Sequence, residues 1–230
     1  MTNELIVAAY DKDLSWTSDI SRDTKVIIYR KGDTSCHKEE IILPNNVGRD
    51  THTFFNHIYT NYNNLAPITF FVQDYPFDHW ENLVEVINNG LSGCKENSCL
   101  NIDNGYFGFH FNTIKVPSDK GGIMWGLYNS THHGKGLIIR CNKDGSPQAP
   151  GWFSAGELDV YWNDLFLSDP PSAYEFVPGG HFAITKDKAH MRSRDFYKRI
   201  VDTLESDEEY PWAVERFECY IYNEAYKTNL

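Results

Sequence analysis

The amino-acid sequence predicts an α/β fold in which one mostly parallel central sheet is flanked by helices. Continuous apolar runs of strand length, such as residues 5–10, alternate with segments of helical periodicity over the first ninety residues. Unbroken apolar runs are typical of strands that are buried on both faces of a parallel sheet. Strands that alternate with helices indicate right-handed crossovers between parallel neighbours. The length of 230 residues suits a single domain, 1–230.

The first ninety residues supply three predicted strands, at 5–10, 26–29 and 68–72. Helices are predicted between and after these strands, at 14–20, 50–62 and 81–89. The 50–62 helix has an apolar face that includes Phe54, Phe55 and Ile58, and Asp50 or Thr51 can cap its start. The parallel part of the sheet is therefore expected in this half of the chain.

The second half of the chain has weaker periodicity. Residues 90–150 are rich in Gly, Asn and Ser, which predicts a loop-rich insertion with short strands. Within and beyond this stretch, further strands are predicted at 137–140, before a turn at 142–145, and at 182–184. Two helices, at 193–204 and 212–226, are expected to close the domain.

Composition excludes several classes of function. The chain has 21 Lys and Arg against 32 Asp and Glu, and its net charge of −11 argues against nucleic-acid binding. No apolar run approaches the ~18 residues of a transmembrane helix, and the N-terminus lacks the pattern of a signal peptide. Five scattered cysteines indicate a reducing, cytoplasmic setting, in which Cys94 and Cys99 could still close a small disulfide loop.

The strongest chemical signal is the segment 73–79, at the exit of the third predicted strand. Asp74, Asp78 and His79 offer two carboxylates and an imidazole, a donor set that suits a divalent cation such as Mn²⁺ or Mg²⁺. Such a cation would neutralise a phosphate leaving group. The alternative is an ordinary loop in which Asp78 caps the next helix and His79 packs nearby.

A second signal is the segment 46–50, directly before a predicted helix. Gly48 permits close approach of the backbone to a ligand, and the helix N-terminus together with Arg49 offers donors to an anion. Asp50 could then accept a hydrogen bond from a sugar or ribose hydroxyl. The alternative is a capped loop in which Arg49 and Asp50 form a structural ion pair.

Three further segments carry weaker signals. Gly179 and Gly180 precede a strand, where they would bring backbone close to a ligand or simply form a tight turn. The pair Glu215 and Arg216 favours a buried ion pair over catalysis. Residues 152–159 combine aromatic rings with carboxylates, as carbohydrate sites do, and Glu157 or Asp159 could act as a general base. A surface hairpin with an aromatic underside is the alternative for this last segment.

Several familiar motifs are absent from the sequence. It contains no Gly-x-x-x-x-Gly-Lys-Ser/Thr phosphate loop, no Gly-x-Ser-x-Gly nucleophile elbow and no Gly-x-Gly-x-x-Gly after the first strand. These absences disfavour kinase-like NTPases, ordinary serine hydrolases and nicotinamide dehydrogenases. Because ligands of parallel sheets bind beyond the carboxyl ends of the strands, the segments around 10, 46–50 and 73–79 should converge on one cleft.

Motifs along nearly the whole chain carry a resemblance to a known family. They are Ile6–Trp16, Tyr29–Gly32, Leu43–Thr53, His57–Tyr59, Asn61–Leu65, Phe71–Gln73, Pro76–His79, Gly179–Ile184, Phe196–Tyr197 and Glu215–Arg216. This set resembles an uncharacterised family, a domain of unknown function found in fungi, bacteria and large viruses. That family is in turn similar to the GT-A-type nucleotide-sugar glycosyltransferases.

The resemblance implies a single GT-A-like domain that transfers a sugar from a nucleotide-sugar donor to a glycan or glycoconjugate acceptor. Residues 5–89 would form the nucleotide-sugar half, and residues 90–230 the acceptor half, with the acceptor near 152–162. The residues implied for donor binding are Tyr10, Asp11, Asn46, Gly48, Arg49, Asp50, Gln73 and Gly180. The implied metal ligands are Asp74, Asp78 and His79, and the candidate catalytic residues are Asp159, Glu157 and His181.

The sequence departs from the family pattern in ways that bear on the metal. The family usually has Glu at the position of Asp50 and Gly at the position of Asp74. GT-A enzymes bind metal through Asp-x-Asp, whereas Asp74 and Asp78 are four residues apart. Two other classes of function therefore stay open. One is a non-catalytic carbohydrate-binding protein on a decayed transferase fold, and the other is a metal-dependent hydrolase that uses Asp78, His79 and either His57 or His181. Exposed aromatics at 152–162 could equally serve a homodimer.

Overall fold

The structure is a computed structural model that describes residues 2–31, 40–43, 46–110, 114–117, 157–171 and 173–226. Its strands are β1 (Asn3–Ala9), β2 (Thr24–Lys31), β3 (Ile41–Leu43), β4 (Ile68–Gln73), β5 (Leu100–Ile102), β6 (Tyr106–Gly108), β7 (Ile114–Pro117), β8 (Ala173–Phe176) and β9 (Phe182–Thr185). Its α-helices are α1 (Arg49–Thr60), α2 (Leu83–Asn88), α3 (Gly90–Asn97), α4 (Glu157–Phe166), α5 (Lys186–Ala189), α6 (Arg194–Ser206) and α7 (Tyr210–Ile221).

The central sheet has seven strands in the order β3-β2-β1-β4-β9-β6-β5. The four strands from the first half of the chain, β1 to β4, pair in parallel with one another. β9 then pairs antiparallel with β4 and with β6, and β5 pairs antiparallel with β6. The α/β class is thus confirmed, and the sheet is mixed, because the later strands enter it in the opposite direction. β7 and β8 form a separate antiparallel pair.

Most of the elements predicted in the first half of the chain are confirmed within a few residues. The 14–20 segment is a 3₁₀ helix, Ser15–Asp19, and the helices expected at 50–62 and 81–89 are α1 and α2. The expected side-chain cap of α1 is wrong, because Gly48 is the N-cap and no side chain caps the helix. The expectation of loops at 90–110 is also wrong in part, because this stretch forms α3 and the β5–β6 hairpin.

Other expectations for the second half have mixed outcomes. The helices predicted at 193–204 and 212–226 correspond to α6 and α7. The strand predicted at 137–140 and its turn lie outside the described residues. A hairpin at 157–159 is wrong, since these residues begin α4, and Cys94 and Cys99 are both free thiols. Within the described ranges, no helix is both long and apolar enough to cross a bilayer.

The core lies on both faces of the sheet because alternate side chains of β1 and β4 point to opposite sides. On one face, Ile6 and Phe71 pack against α1, α4, α6 and α7. On the other face, Leu5 and Phe70 pack against the apolar side of α2. Burial on both faces explains why β1 and β4 read as unbroken apolar runs in the sequence.

Arg192 ties the C-terminal end of α7 to the helices around it. Its side chain is 3% exposed and donates through Nε to the Ile221 carbonyl at 2.8 Å. Its Nη2 donates to the carbonyls of Tyr220 and Tyr226, at 3.2 and 2.8 Å. The guanidinium also lies over the rings of Phe166 and Phe196. One side chain thus binds carbonyls of the last turn of α7 and of the 3₁₀ helix Glu224–Tyr226 that follows it.

We expect the substitution Arg192→Lys to lower the free energy of unfolding by about 2–4 kcal/mol, because an ammonium cannot reproduce the planar fork of donors at a buried site. Urea denaturation measures this loss. The matched control is Arg194→Lys. Arg194 stacks on Tyr59 and donates to its carbonyl at 3.1 Å, but on the protein surface. Arg194→Lys should lower the free energy of unfolding by less than about 1 kcal/mol. Equal losses would contradict the role given to Arg192.

Candidate functional site

A cleft of about 240 Å³ opens where β1 and β4 end. Its lining residues come from the ends of three strands and from the start of α1, and they are Ala8, Ala9, Tyr10, Lys31, Asn46, Arg49, Asp50, Gln73 and Asp74. β1 lies between β2 and β4, so the order of strands reverses at this point of the sheet. Open α/β sheets bind their ligands at such a switch point, beyond the carboxyl ends of the strands. The predicted convergence is confirmed for Tyr10, for the 46–50 segment and for Gln73 and Asp74, whereas Asp78 and His79 are not among the lining residues.

The loop that follows β1 is fixed by Asp74. One carboxylate oxygen of Asp74 accepts the backbone N–H groups of Tyr10, Asp11 and Lys12, at 3.0, 3.2 and 3.1 Å. Successive N–H groups that point to one spot form an anion-binding nest, and here the anion belongs to the protein itself. The indole N–H of Trp16 donates to the Asp74 carbonyl at 2.8 Å. One wall of the cleft is therefore positioned by the end of the neighbouring strand.

Arg30 fixes the same loop from the side of β2. Its Nη1 donates to the Tyr10 carbonyl at 2.9 Å, while Nε and Nη2 donate to the two carboxylate oxygens of Glu40, at 2.7 and 2.8 Å. A bidentate pair of this kind has a defined geometry. The ring of Tyr10 is left half exposed at the mouth of the cleft.

The opposite wall is a strained turn at the start of α1. Gly48 and Arg49 have φ angles of +60° and +53°, in the left-handed region that costs a non-glycine residue free energy. Lys31 donates from Nζ to the Val47 carbonyl at 2.7 Å and also to the Arg49 carbonyl. The Arg49 guanidinium lies over the ring of Trp212, 4.9 Å from its centroid. The turn is thus held from below by a lysine and from the side by an aromatic ring.

Lys31 is a site residue that the sequence analysis missed. It is 3% exposed, and burial lowers its pKa to about 8, although the nearby Asp50 carboxylate opposes that shift. The signal available in the sequence was a pair of basic residues, Arg30 and Lys31, at the carboxyl end of a buried strand. A buried lysine with a perturbed pKa in a cleft is typical of functional sites.

The floor of the cleft is a chain of hydrogen bonds that reaches α7. The Gln73 amide donates to Asp50 Oδ2 at 2.6 Å and to the Gly179 carbonyl at 3.2 Å. The Gly179 N–H in turn donates to Glu215 Oε1 at 2.6 Å. A Cβ on Gly180 would lie 3.9 Å from both Asp50 Oδ2 and Glu218 Oε1. Glycines at 179 and 180 therefore bring two elements close to Asp50.

Two acids of α7 lie at the floor, the partly buried Glu215 and the fully buried Glu218. Burial raises the pKa of Glu215, although the adjacent Arg216 opposes the shift, and it raises the pKa of Glu218 well above its usual value. The predicted ion pair is present, with Arg216 Nη1 3.8 Å from Glu215 Oε2. Glu218 was not predicted, and its Oε1 has no hydrogen-bond partner among the described residues. A raised pKa favours a neutral acid there, which reduces repulsion with Asp50.

Three histidines lie further along the same edge of the sheet. The ring of His79 is 4.8 Å from His181 and 5.5 Å from His110, measured between ring centroids. Burial, with added repulsion from the other two rings, lowers the pKa of His181 well below its usual value, so His181 is neutral at pH 7. His57 instead lies 3.5 Å from Glu4, near the amino end of β1, and is not near this group.

The predicted metal ligands do not come together as a metal site. One oxygen of Asp74 already accepts three N–H groups, and Asp78 Oδ1 lies 3.6 Å from His79 Nε2. In the part of the chain that the structure describes, no three His, Cys, Asp or Glu side chains are placed to hold a metal ion. The donor set as positioned does not fit the predicted Mn²⁺ or Mg²⁺, so no chemical step is derived through a metal.

The predicted catalytic residues are scattered. Asp159 lies on α4, where its Oδ1 accepts a hydrogen bond from the Tyr174 hydroxyl at 2.5 Å. It is not among the residues that line the cleft. Glu157 begins α4, but its side chain is outside the described part of the structure. His181 follows Gly180 at the cleft floor. Of the residues that the sequence predicted for donor binding, five line the cleft: Tyr10, Asn46, Arg49, Asp50 and Gln73.

The fold and the cleft define an α/β protein with a polar site at the switch point of its sheet. Residues 5–107 match a family described as a protein of unknown function (DUF3431). This match supports the resemblance to an uncharacterised family and covers both walls of the cleft. No curated protein and no solved structure is significantly similar to the chain.

We expect Gly48→Ala to lower the free energy of unfolding by about 2–4 kcal/mol, because the added methyl group combines a left-handed backbone with overpacking. A Cβ at this position would lie 2.7 Å from His52 Cβ and 3.0 Å from Leu204 Cβ. Gly90→Ala is the matched control. Gly90 has nearly the same φ, +57°, but a Cβ there would meet only Asn3 Nδ2, at 3.4 Å. Its cost should be about 1–2 kcal/mol. Chemical denaturation of both variants separates the cost of the left-handed backbone from the cost of overpacking. If both variants lost the same free energy of unfolding, close packing around Gly48 would be contradicted.

Proposed function

We propose that this protein is a glycosyltransferase whose nucleotide-sugar donor binds in the cleft at the switch point of the sheet. The observation that carries the proposal is the pairing of Lys31 and Arg49 at a cleft beyond the carboxyl ends of β1 and β4. The same cleft is also lined by the carboxylates of Asp50 and Asp74, so the two cations balance two acids there. The support for a diphosphate is the position of the ammonium and guanidinium donors at the switch point, not an excess of positive charge.

The diphosphate of the donor is assigned to the wall formed by the turn at 46–49. Arg49 offers a fork of donors to phosphate oxygens, and Lys31 adds a second positive charge from beneath. The N-cap of α1 is Gly48, which has no side chain to cap the helix, although Asp50 Oδ1 accepts the Thr51 N–H at 2.9 Å. The positive end of the helix dipole lies on the same side. Burial of Lys31 strengthens its attraction for an anion, since the local dielectric is low.

The remaining lining residues suit the uncharged parts of the donor. Tyr10 presents a half-exposed ring on which a nucleobase can stack. Asp50 and Gln73 are held in one geometry by their 2.6 Å hydrogen bond, which orders them for sugar or ribose hydroxyls. Asn46, exposed at the rim, adds an amide that can both donate and accept.

In the proposed reaction an acceptor hydroxyl attacks the anomeric carbon of the donor sugar, and the bond from that carbon to the phosphate oxygen breaks. The nucleoside diphosphate leaves with its charge balanced by Lys31 and Arg49. A carboxylate must take the proton of the acceptor hydroxyl. Two carboxylates line the cleft, and both accept hydrogen bonds: Asp74 Oδ2 accepts three N–H groups, and the two oxygens of Asp50 accept Thr51 N–H and the Gln73 amide. We assign the proton to Asp50, because Asp74 holds the loop after β1 in place.

Thermal melting against UDP, GDP, CMP and dTDP tests the donor site. A nucleotide at ~100 times its Kd should stabilise the protein by about 2.7 kcal/mol, which raises Tm by about 5–10 °C for a chain of this size. Arg49→Gln should weaken that nucleotide ~10–100-fold, because a charge-assisted hydrogen bond is lost. Arg22→Gln, which removes an exposed arginine outside the cleft lining, should leave affinity unchanged.

The same melting assay, extended to glycans and to Mn²⁺ alone, distinguishes the other classes of function. If glycans raise Tm and none of the nucleotides does, the protein is a carbohydrate-binding protein and not a transferase. A shift with Mn²⁺ alone would favour the metal-dependent hydrolase. Each nucleotide is therefore measured with and without Mn²⁺, and a larger shift in its presence would support the metal prediction made from the sequence.

The pKa of Lys31, lowered to about 8, gives the donor site a pH dependence. Below pH 8 the ammonium is charged and attracts the diphosphate, and above pH 8 an increasing fraction is neutral. Nucleotide affinity should therefore fall between pH 7 and pH 9.5, by up to tenfold per pH unit once Lys31 has titrated in the free protein. Calorimetry at several pH values measures this fall. Lys31→Met should bind more weakly at pH 7 and show a flatter profile. An unchanged slope in that variant would rule out Lys31 as the titrating group.

A further inference from the structure

A second cavity, of about 340 Å³, lies between α4, α6 and the start of α7. It shares no lining residue with the cleft at the switch point. Its volume is at the lower end of the range for pockets that bind small molecules. The residues that matter here are Tyr161 and Asp164 on α4, Arg199 and Asp202 on α6, and Tyr210 at the start of α7.

The hydroxyl of Tyr210 is an unused polar group in this cavity. Tyr210 as a whole residue is 4% exposed and lines the cavity. Its hydroxyl oxygen is not among the fully buried, unpartnered atoms of the described residues, and we place it facing the cavity, where it is free to bond a ligand. Burial raises the pKa of Tyr210, so the hydroxyl keeps its proton and can donate. A ligand in the cavity would supply the missing partner.

The aromatic wall of the cavity is rigid. The Tyr161 hydroxyl donates to Asp207 Oδ2 at 2.8 Å, and Asp207 Oδ1 accepts the Glu209 N–H at 2.9 Å. Both oxygens of Asp207 are therefore occupied, and they hold the Tyr161 ring 5.5 Å from the ring of Tyr210. Leu165 is buried below the two rings.

The polar groups around the rings combine donors with acceptors. Asp164 and Asp202 supply carboxylate oxygens, while Arg199 and the Tyr210 hydroxyl supply N–H and O–H groups. Asp202 is also paired with Lys198 at 2.6 Å, so the positive side chains offset much of the acidic charge. A cationic ligand would use only the acceptors and would lie beside Arg199.

We propose that this cavity binds a neutral saccharide. A sugar hydroxyl both donates and accepts, so it can use the carboxylates, the guanidinium and the Tyr210 hydroxyl together, while the apolar face of the sugar ring packs on Tyr161. The site is independent of the proposed donor cleft, because it neither shares residues with that cleft nor requires a nucleotide. Its hydroxyls would bond chiefly to Asp164, Arg199 and the Tyr210 hydroxyl, since Asp202 is already paired with Lys198.

The test is saturation-transfer NMR on the 230-residue chain without nucleotide. The probes are maltotriose, cellotriose, chitotriose and mannotriose at millimolar concentration, with spermidine as a cationic probe. At least one sugar should bind, and Tyr210→Phe should weaken it ~5–10-fold, since a single hydrogen bond is removed without loss of the ring. Asp164→Asn, an exposed change that should not affect folding, should weaken the same sugar. Tyr59→Phe, on α1 and away from the cavity, is the matched control and should bind normally.

Three results would overturn the proposal. The first is that no sugar in the panel binds, and the second is that spermidine binds while the sugars do not. The third is a sugar that binds equally well to the wild type, Tyr210→Phe and Asp164→Asn. Because nucleotide is absent throughout, none of these results depends on whether the cleft binds a donor.

Discussion

The carboxylate of Asp74 is the contact on which the cleft depends. One of its oxygens gathers the N–H groups of the loop after β1, so the ends of two adjacent parallel strands are locked at a fixed separation. Arg30 holds the carbonyl side of the same loop, which leaves its backbone little freedom. With that wall fixed, the strained turn at Gly48 and Arg49 can close the other side at a defined distance. The cleft is thus shaped by backbone geometry before any ligand arrives, which is what preorganised binding requires.

Much of the first half of the fold could be predicted because its signals are local. β1 and β4 are buried on both faces, so their apolar runs are unbroken, and α1 has a clear apolar face. The later strands could not be predicted equally well. β5 and β6 have three residues each, and β9 joins the sheet antiparallel between β4 and β6. Such pairings depend on packing against strands that are distant in sequence, and a short segment carries no local signal of its partner.

The sequence predicted where the candidate site lies better than it predicted the roles of the side chains there. Topology alone placed Tyr10, Asp50 and Gln73 at one edge of the sheet. The roles of individual side chains depended on partners far away in sequence. Asp74 has the donor type of a metal ligand, but the N–H groups around it make it a structural residue of the loop. Lys31 and Glu218 were missed because burial gives them their importance, and burial of a single charged residue has no periodic signature.

The hydrogen-bonded floor of the cleft has a consequence for how the protein assembles. It joins Asp50 and Gln73 to Gly179 and then to Glu215, so one short network spans most of the chain. A segment that ended at residue 107, the limit of the family match, would contain both walls and lack the floor. During synthesis this network can therefore close only after residue 215 has left the ribosome. A fragment that ends before α7 would lack the hydrogen bond from Gly179 to Glu215.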